Sequence, residues 1–233
     1  MGWKDVWRKK GANAPREPGP SDLMALNGYD SGAGIASYDA LDDFSARVAT
    51  RLDIKPGMRL LEVGCGSGAA LRRHYLNGVD VWGVDFSPGH LRAAHHVMPA
   101  GHFAAADAQS LPYANSVFDR AIAGSCFLYL PDARSASDAL AELIRVLKPG
   151  GYGAVTDLPD RDLRDESERF RRGELGDGAY ERRYAELKHQ YFGRDEMIAL
   201  SNRLGCRAET TTQKIAGYGN SPYRFNLWIE NKS

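Results

Sequence analysis

The sequence predicts an α/β fold built on a doubly wound, mostly parallel sheet, and three observations carry that expectation. Short apolar runs alternate with segments of helical spacing from residue 38 to residue 157, an order that needs crossover connections and therefore parallel pairing. The first apolar run breaks into "LLEVGCGSG" at residues 60–68, where glycines alternate immediately after an acidic residue. Acidic residues, Asp85 and Asp107, then end the second and third runs, on the side of such a sheet where ligands bind.

The bulk composition agrees. The chain has 233 residues, 43% hydrophobic and 26% charged, which suits one sizeable core. Thirty basic residues balance thirty acidic ones, so net charge gives no pull toward nucleic acid or an anionic membrane. Cys65, Cys126 and Cys206 are too scattered for a disulfide framework or a zinc cluster. The opening "MGWKDVWRKK" lacks the apolar core of a signal peptide, and no later stretch is long enough to span a bilayer, so a cytoplasmic location is expected.

Taken in order, residues 1–36 read as an N-terminal extension interrupted by the breaker cluster "GANAPREPGP". It is either a loose tail or, through "NGYDSGAG" at 27–34, a lid over a bound ligand. Residues 37–233 read as one domain. Leu41, Phe44, Val48 and Leu52 recur at helical spacing until Pro56 and Gly57 stop them. A strand at 58–63, a helix at 69–76 and a strand at 79–85 follow. Ser87 and Pro88 suit the N-cap and first turn of the next helix, and strands are expected at 102–107 and 118–124. Ser135 with Asp138 is expected to open a helix carrying Leu140, Leu143, Ile144 and Leu147. "KPGG" ends it before a fifth strand at 151–157. Residues 158–192 form a charge-rich insertion read as a cap on the acceptor side. A helix at 194–205 and two closing strands, 206–213 and 222–230, complete the chain.

Glycines at the first strand-to-helix turn permit positive φ and let a ligand approach the backbone, while the following helix start offers N–H groups to an anion. Gly64, Gly66 and Gly68, with Cys65 between them, meet that requirement. Asp85 is placed to accept the two hydroxyls of a ribose, or else to cap the helix at Ser87. Asp107 is placed for a ligand contact or a turn. With "LKPGGY" before the fifth strand, the motif order from about Leu60 to Thr156 resembles the class I S-adenosylmethionine-dependent methyltransferases. Dinucleotide enzymes place a pyrophosphate on GxGxxG, whereas the form here is E-x-G-x-G-x-G.

The resemblance implies a Rossmann-like seven-stranded sheet in the order 3-2-1-4-5-7-6, with helices on both faces and an antiparallel last strand. It implies S-adenosylmethionine as cofactor. Glu62 would face its ammonium, directly or through water, and loop N–H groups would take its carboxylate. Asp85 would hold the ribose. Asp107 would meet the adenine amino group, with Ala108 donating from its backbone and Phe86 and Leu111 as apolar faces. Gly124 and Ser125 would contact the methionine part.

On the acceptor side, Cys126 in "GSCFLYLPD" reads as a core thiol, because the N/D-P-P-Y/F motif of amino- and nucleobase-modifying relatives is missing. Where natural-product sugar O-methyltransferases often carry a His, this chain has Tyr129, a candidate proton donor or a packing aromatic. Asp157 is a candidate base, an orienter of one, or a cap. His189 is a candidate pocket residue or a satisfied surface one. Tyr223 and Phe225 read as core, with Arg224 and Asn226 placed for acceptor recognition. The carboxylate set of metal-dependent catechol-type enzymes is absent, so no metal is expected.

The expected function is methyl transfer to a small polar acceptor, a hydroxyl of a sugar-like or natural-product molecule, with no nucleic-acid or membrane partner. Transfer to an amine or carboxylate, a nicotinamide oxidoreductase and a catalytically silent cofactor-binding subunit are the alternatives. The oligomeric state is open, a homodimer being one arrangement.

Overall fold

The computed structural model describes residues 2–30, 34–184 and 187–232, with 183 and 184 described by their backbone alone. Residues 31–33 of the expected lid segment lie outside them.

Seven strands form one sheet: β1 (Arg59–Val63), β2 (Asp80–Asp85), β3 (His102–Ala105), β4 (Phe118–Gly124), β5 (Leu147–Pro159), β6 (Cys206–Thr212) and β7 (Arg224–Asn231). Their order is β3-β2-β1-β4-β5-β7-β6. Pairs among β1 to β5 are parallel, and β7 runs antiparallel to both β5 and β6. This is the Rossmann-like order implied by the motifs.

Side chains alternate across a strand, so neighbouring residues serve different cores. Leu60, Ile122 and Ala154 join one cluster, while Leu61, Ala121, Ala123 and Val155 join the other. Helices α2 (Pro20–Leu26), α3 (Tyr38–Arg51), α4 (Leu71–Leu76) and α5 (Pro88–Val97) contribute to the first. Helices α6 (Ala133–Val146) and α9 (Arg194–Arg203) contribute to the second. Both faces are covered, which is why the central strands read as unbroken apolar runs.

Helix α6 starts earlier than the Ser135–Asp138 pattern suggests. Asp132 is its N-cap, accepting the Ser135 N–H at 2.7 Å, the ordinary work of a capping carboxylate. The helix ends at Val146, and Leu147 opens β5 instead of closing the helical stripe. Lys148 precedes Pro149, and a residue before proline is driven out of the α region; Leu147 is already extended at ψ 136.

The N-terminal extension is helical on either side of its breaker cluster. Helix α1 spans Trp3–Ala12, and α2 begins with Pro20 in its first turn. Leu23, Met24 and Leu26 of α2 are buried in the first core. Helix α1 lies against α5 where Gly11 meets Gly89: a Cβ on Gly89 would collide with the Gly11 carbonyl, a backbone clash that no rotamer relieves. The segment after β5 carries α7 (Arg164–Leu175) and α8 (Asp177–Tyr184). Among the described residues no helix is long and apolar enough to cross a membrane.

Candidate active site

The carboxyl ends of β1, β2, β4 and β5 and the turn after β3 open into one cleft of about 1470 Å³ counting its mouth. Glu62, Gly64, Gly66, Asp85, Phe86, Asp107, Ala108, Gly124, Ser125, Tyr129 and Asp157 all line it. Four expected residues do not. Cys65 turns its thiol into the core, 1% exposed, beside Gly83, so only its backbone belongs to the loop. Gly68, at φ +78, lies under Ala94 of α5 and Met98 just past its end, where a side chain would strike Met98. His189 stands behind Trp3 and Tyr129. Leu111 is likewise buried in the second core.

The glycine loop is held from several directions. The N–H groups of Gly64 and Cys65 both donate to the Val84 carbonyl, at 2.7 and 3.0 Å, and that of Gly68 donates to the Cys65 carbonyl at 2.9 Å. Gly66 donates to Asp85 Oδ2 at 3.0 Å, and Ser67 donates to Asn27 Oδ1 at 2.8 Å. The loop N–H groups assigned from sequence to the cofactor carboxylate are thus bonded within the protein. Asp85 also accepts the Ser87 N–H at 2.8 Å. It acts as a clip between the loop and the turn that opens α5. Burial raises its pKa, and the Ser87 and Gly66 N–H groups oppose that rise.

Glu62 is 5% exposed, and its Oε2 is buried without a hydrogen-bond partner. Burial, aided by the nearby Asp85 charge, pushes its pKa up to about 8. An unpartnered carboxylate oxygen in the wall of a cleft is costly unless a donor arrives. A ligand ammonium supplies that donor, so the site fits the amino-acid end of S-adenosylmethionine. At the opposite end, Asp107 accepts Lys4 Nζ at 2.6 Å and the Gln109 N–H at 3.1 Å. Burial alone would raise its pKa, but Lys4 and Gln109 outweigh burial and hold it below the usual range. Arg8 lies over the Phe86 ring, 5.8 Å from its centroid.

The acceptor side combines an aromatic wall with a buried polar cluster. Tyr129 packs against Trp3 and Trp7 of α1, with centroids at 4.7 and 5.1 Å. His189 stacks on Trp3, and its Nδ1 is 2.7 Å from Arg171 Nη1. Guanidinium can only donate, so Nδ1 is an acceptor and the ring proton sits on Nε2. A ring held this way offers a donor to its surroundings and no free basic nitrogen. Asp157, at φ +63 and 3% exposed, accepts Gln213 Nε2 at 2.9 Å and the Tyr218 hydroxyl at 3.2 Å. Arg224 Nε lies 3.7 Å from its Oδ1, and Asn226 Oδ1 accepts its N–H. Arg224 and Asn226, placed from sequence for acceptor recognition, instead flank Asp157: Arg224 stands beside its carboxylate and Asn226 holds its backbone. Cys126 lines the cleft as well, its thiol pushed up by burial.

Sequence reading missed Trp3, Lys4, Trp7 and Gln213 as lining residues, and reached Asn27 and Tyr29 only as part of the 27–34 segment expected as a lid. Trp3 and Trp7 carried a signal, since i,i+4 aromatics share a helix face; Lys4 and Gln213 carried none.

Residues 61–155 match the family model described as a methyltransferase domain. The chain is 31% identical to a phthiotriol/phenolphthiotriol dimycocerosates methyltransferase of Mycobacterium leprae, over 67% of this chain and 61% of that protein. It is 38% identical to a demethylmenaquinone methyltransferase of Renibacterium salmoninarum, over 56% of this chain and 54% of that one. It therefore spans between half and two thirds of these relatives' lengths. Its fold matches the magnesium protoporphyrin IX methyltransferase of Synechocystis, solved with bound S-adenosylhomocysteine, at a TM-score of 0.63 and 16% identity, over 98% and 94% of the two chains. With the sheet order, the glycine loop and the orphaned Glu62 oxygen, these similarities make the chain a member of the class I S-adenosylmethionine-dependent methyltransferase family.

Proposed function

We propose that this chain transfers the methyl group of S-adenosylmethionine to a hydroxyl of a small, ring-bearing acceptor of the sugar-like or natural-product kind. The observation that carries the reading is the Asp157 carboxylate, buried at the end of β5 in the same cleft as the aromatic wall of Trp3, Trp7 and Tyr129. The wall suits the face of a ring. The carboxylate suits a hydroxyl proton, since it keeps accepting capacity beyond its bonds to Gln213 and Tyr218.

The cofactor supplies an activated methyl on a sulfonium when bound. The protein's own part is alignment and exclusion of water. Glu62 holds the ammonium and Asp85 the ribose, and α1 acts as a lid across the mouth. Asp157 accepts the acceptor's proton as the methyl moves, and Arg224 provides its counter-charge. Tyr129 offers a hydroxyl and a packing face. His189 orients Trp3 and Tyr129 from behind.

A second reading is favoured by the aromatic make-up of that wall and by the demethylmenaquinone-modifying relative: an aromatic diol or quinol acceptor, methylated on oxygen or ring carbon. Product mass spectrometry decides between them. The protein is incubated with S-adenosylmethionine and a panel of sugars, phenols, quinols, amines and carboxylic acids. Methyl ethers are the expected products. Methylated amines or esters alone would refute the hydroxyl reading.

A further inference from the structure

The cofactor's carboxylate needs donors, and the loop named for that role has its five N–H groups, from Gly64 to Ser67 and Gly68, engaged by Val84, Asp85, Asn27 and Cys65. The side chain that engages Ser67 comes from outside the matched family region, 40 residues upstream. Asn27 closes α2, with its own N–H bonded to the Leu23 carbonyl. Its carboxamide reaches over Gly66, where a Cβ would collide with Oδ1, so the glycine at 66 makes room for Asn27.

The orientation of the carboxamide follows from chemistry. Ser67 N–H is a donor and must face an acceptor, so Oδ1 lies toward the loop. The Ser67 hydroxyl, 2.9 Å from both Asn27 Oδ1 and the Leu23 carbonyl, shares its one proton between them. Nδ2 is therefore on the other side, and no hydrogen bond from it occurs among the described residues. Asn27 lines the same cleft as Glu62, Gly64 and Gly66. Two residues on, Tyr29 lines it too, bonded through its hydroxyl to Ser125 Oγ at 2.9 Å.

We propose that Asn27 is a cofactor-binding residue: its Oδ1 takes the place of a ligand anion on the loop, and its Nδ2 donates to the α-carboxylate of S-adenosylmethionine. Glu62 then takes the ammonium from below and Asn27 takes the carboxylate from the N-terminal side. The amino-acid end is read by one residue of the sheet and one of the extension, and ordering of the extension is coupled to the cofactor's amino-acid end. The proposal rests on the assignment of S-adenosylmethionine as cofactor.

The test compares two ligands that share the thioadenosine part. S-adenosylhomocysteine has the amino-acid end and 5′-methylthioadenosine lacks it. Calorimetry on the full chain gives both affinities for wild type, Asn27→Asp and Asn27→Ala, with thermal denaturation checking the fold. In Asn27→Asp the acceptor for Ser67 survives, but an oxygen replaces Nδ2 and repels the carboxylate. Hydrogen bonds to charged groups correspond to roughly 10–100-fold in affinity. Asn27→Asp should lose about 100-fold for S-adenosylhomocysteine and Asn27→Ala about 10-fold, with 5′-methylthioadenosine changed less than about threefold in both. Equal losses for the two ligands would make Asn27 a structural latch only, and unchanged or tighter S-adenosylhomocysteine binding would likewise overturn the proposal. Failure of the wild type to bind S-adenosylhomocysteine would instead bring down the cofactor assignment and the proposal together.

Discussion

Glu62→Gln tests the centre of the site, because the electrostatics of Glu62 convert directly into a pH dependence. In the ligand-free protein its carboxyl has a pKa of about 8, raised by burial and then by Asp85. It must be ionised to pair with an ammonium. For a group of that pKa the ionised fraction is about 1% at pH 6, about 9% at pH 7 and half at pH 8. The affinity for S-adenosylhomocysteine should therefore tighten about 50-fold between pH 6 and pH 8, or about 2.3 kcal/mol. Binding at pH 7 should release about 0.9 proton, readable by calorimetry in two buffers of different protonation enthalpy. Glu62→Gln carries no titrating group there, so its affinity should be weaker at pH 8 and nearly flat across the range. Comparing the two proteins cancels the titration of the ligand itself. A wild-type affinity constant within twofold from pH 6 to 8, or an equal slope in the variant, would refute the pairing. Stability gives a second readout with its own sign. The folded pKa lies above the ordinary value of 4.5, so the contribution is full below 4.5 and lost as pH rises toward 8. For the ligand-free protein that loss is on the order of 5 kcal/mol, and Glu62→Gln should remove it from the Tm profile.

Four further substitutions address the rest of the cleft and the docking of α1. Asp85→Ala removes the acceptor of two N–H groups, Gly66 and Ser87, and should weaken S-adenosylhomocysteine binding by about 1.5–3 kcal/mol; a folded variant of unchanged affinity would take Asp85 out of the site. Gly89→Ala drives a Cβ into the Gly11 backbone, so α1 should detach while the sheet survives. Limited proteolysis should then cut before residue 20 several times faster with the far-ultraviolet spectrum little changed, and an unaltered cleavage rate would contradict the docking described for α1. Asp157→Asn should lower kcat by about 10²–10⁴ with cofactor affinity nearly intact, once an acceptor is identified by the product screen. Tyr129→Phe should cost less, since its packing against Trp3 and Trp7 needs no hydroxyl. Wild-type turnover in Asp157→Asn would mean that alignment alone carries the transfer.

The sequence by itself determined whatever depends on neighbours along the chain. Alternating apolar runs and helical stripes specify strands and crossovers, and the family resemblance carried by the motifs implied the sheet order. Glycine spacing after β1 and the acidic residues at the ends of β1 and β2 located the cleft, because these positions are fixed by the strands that carry them. Local reading failed where two local signals competed, as at Asp132 against Ser135, or at Leu147, where the proline two residues on overrides the helical stripe. The tertiary structure alone decided which donors and acceptors meet. Asn27 bonds to Ser67, Lys4 to Asp107, Arg171 to His189, and Gln213 and Tyr218 to Asp157. None of these pairs has a periodic or compositional signature. Each is a contact between separate segments of the chain, set by how α1, α2, α7 and the segments around β7 pack near the carboxyl ends of the strands. A hydrogen bond depends on ångström-scale placement of two groups, and only the packed fold supplies that placement.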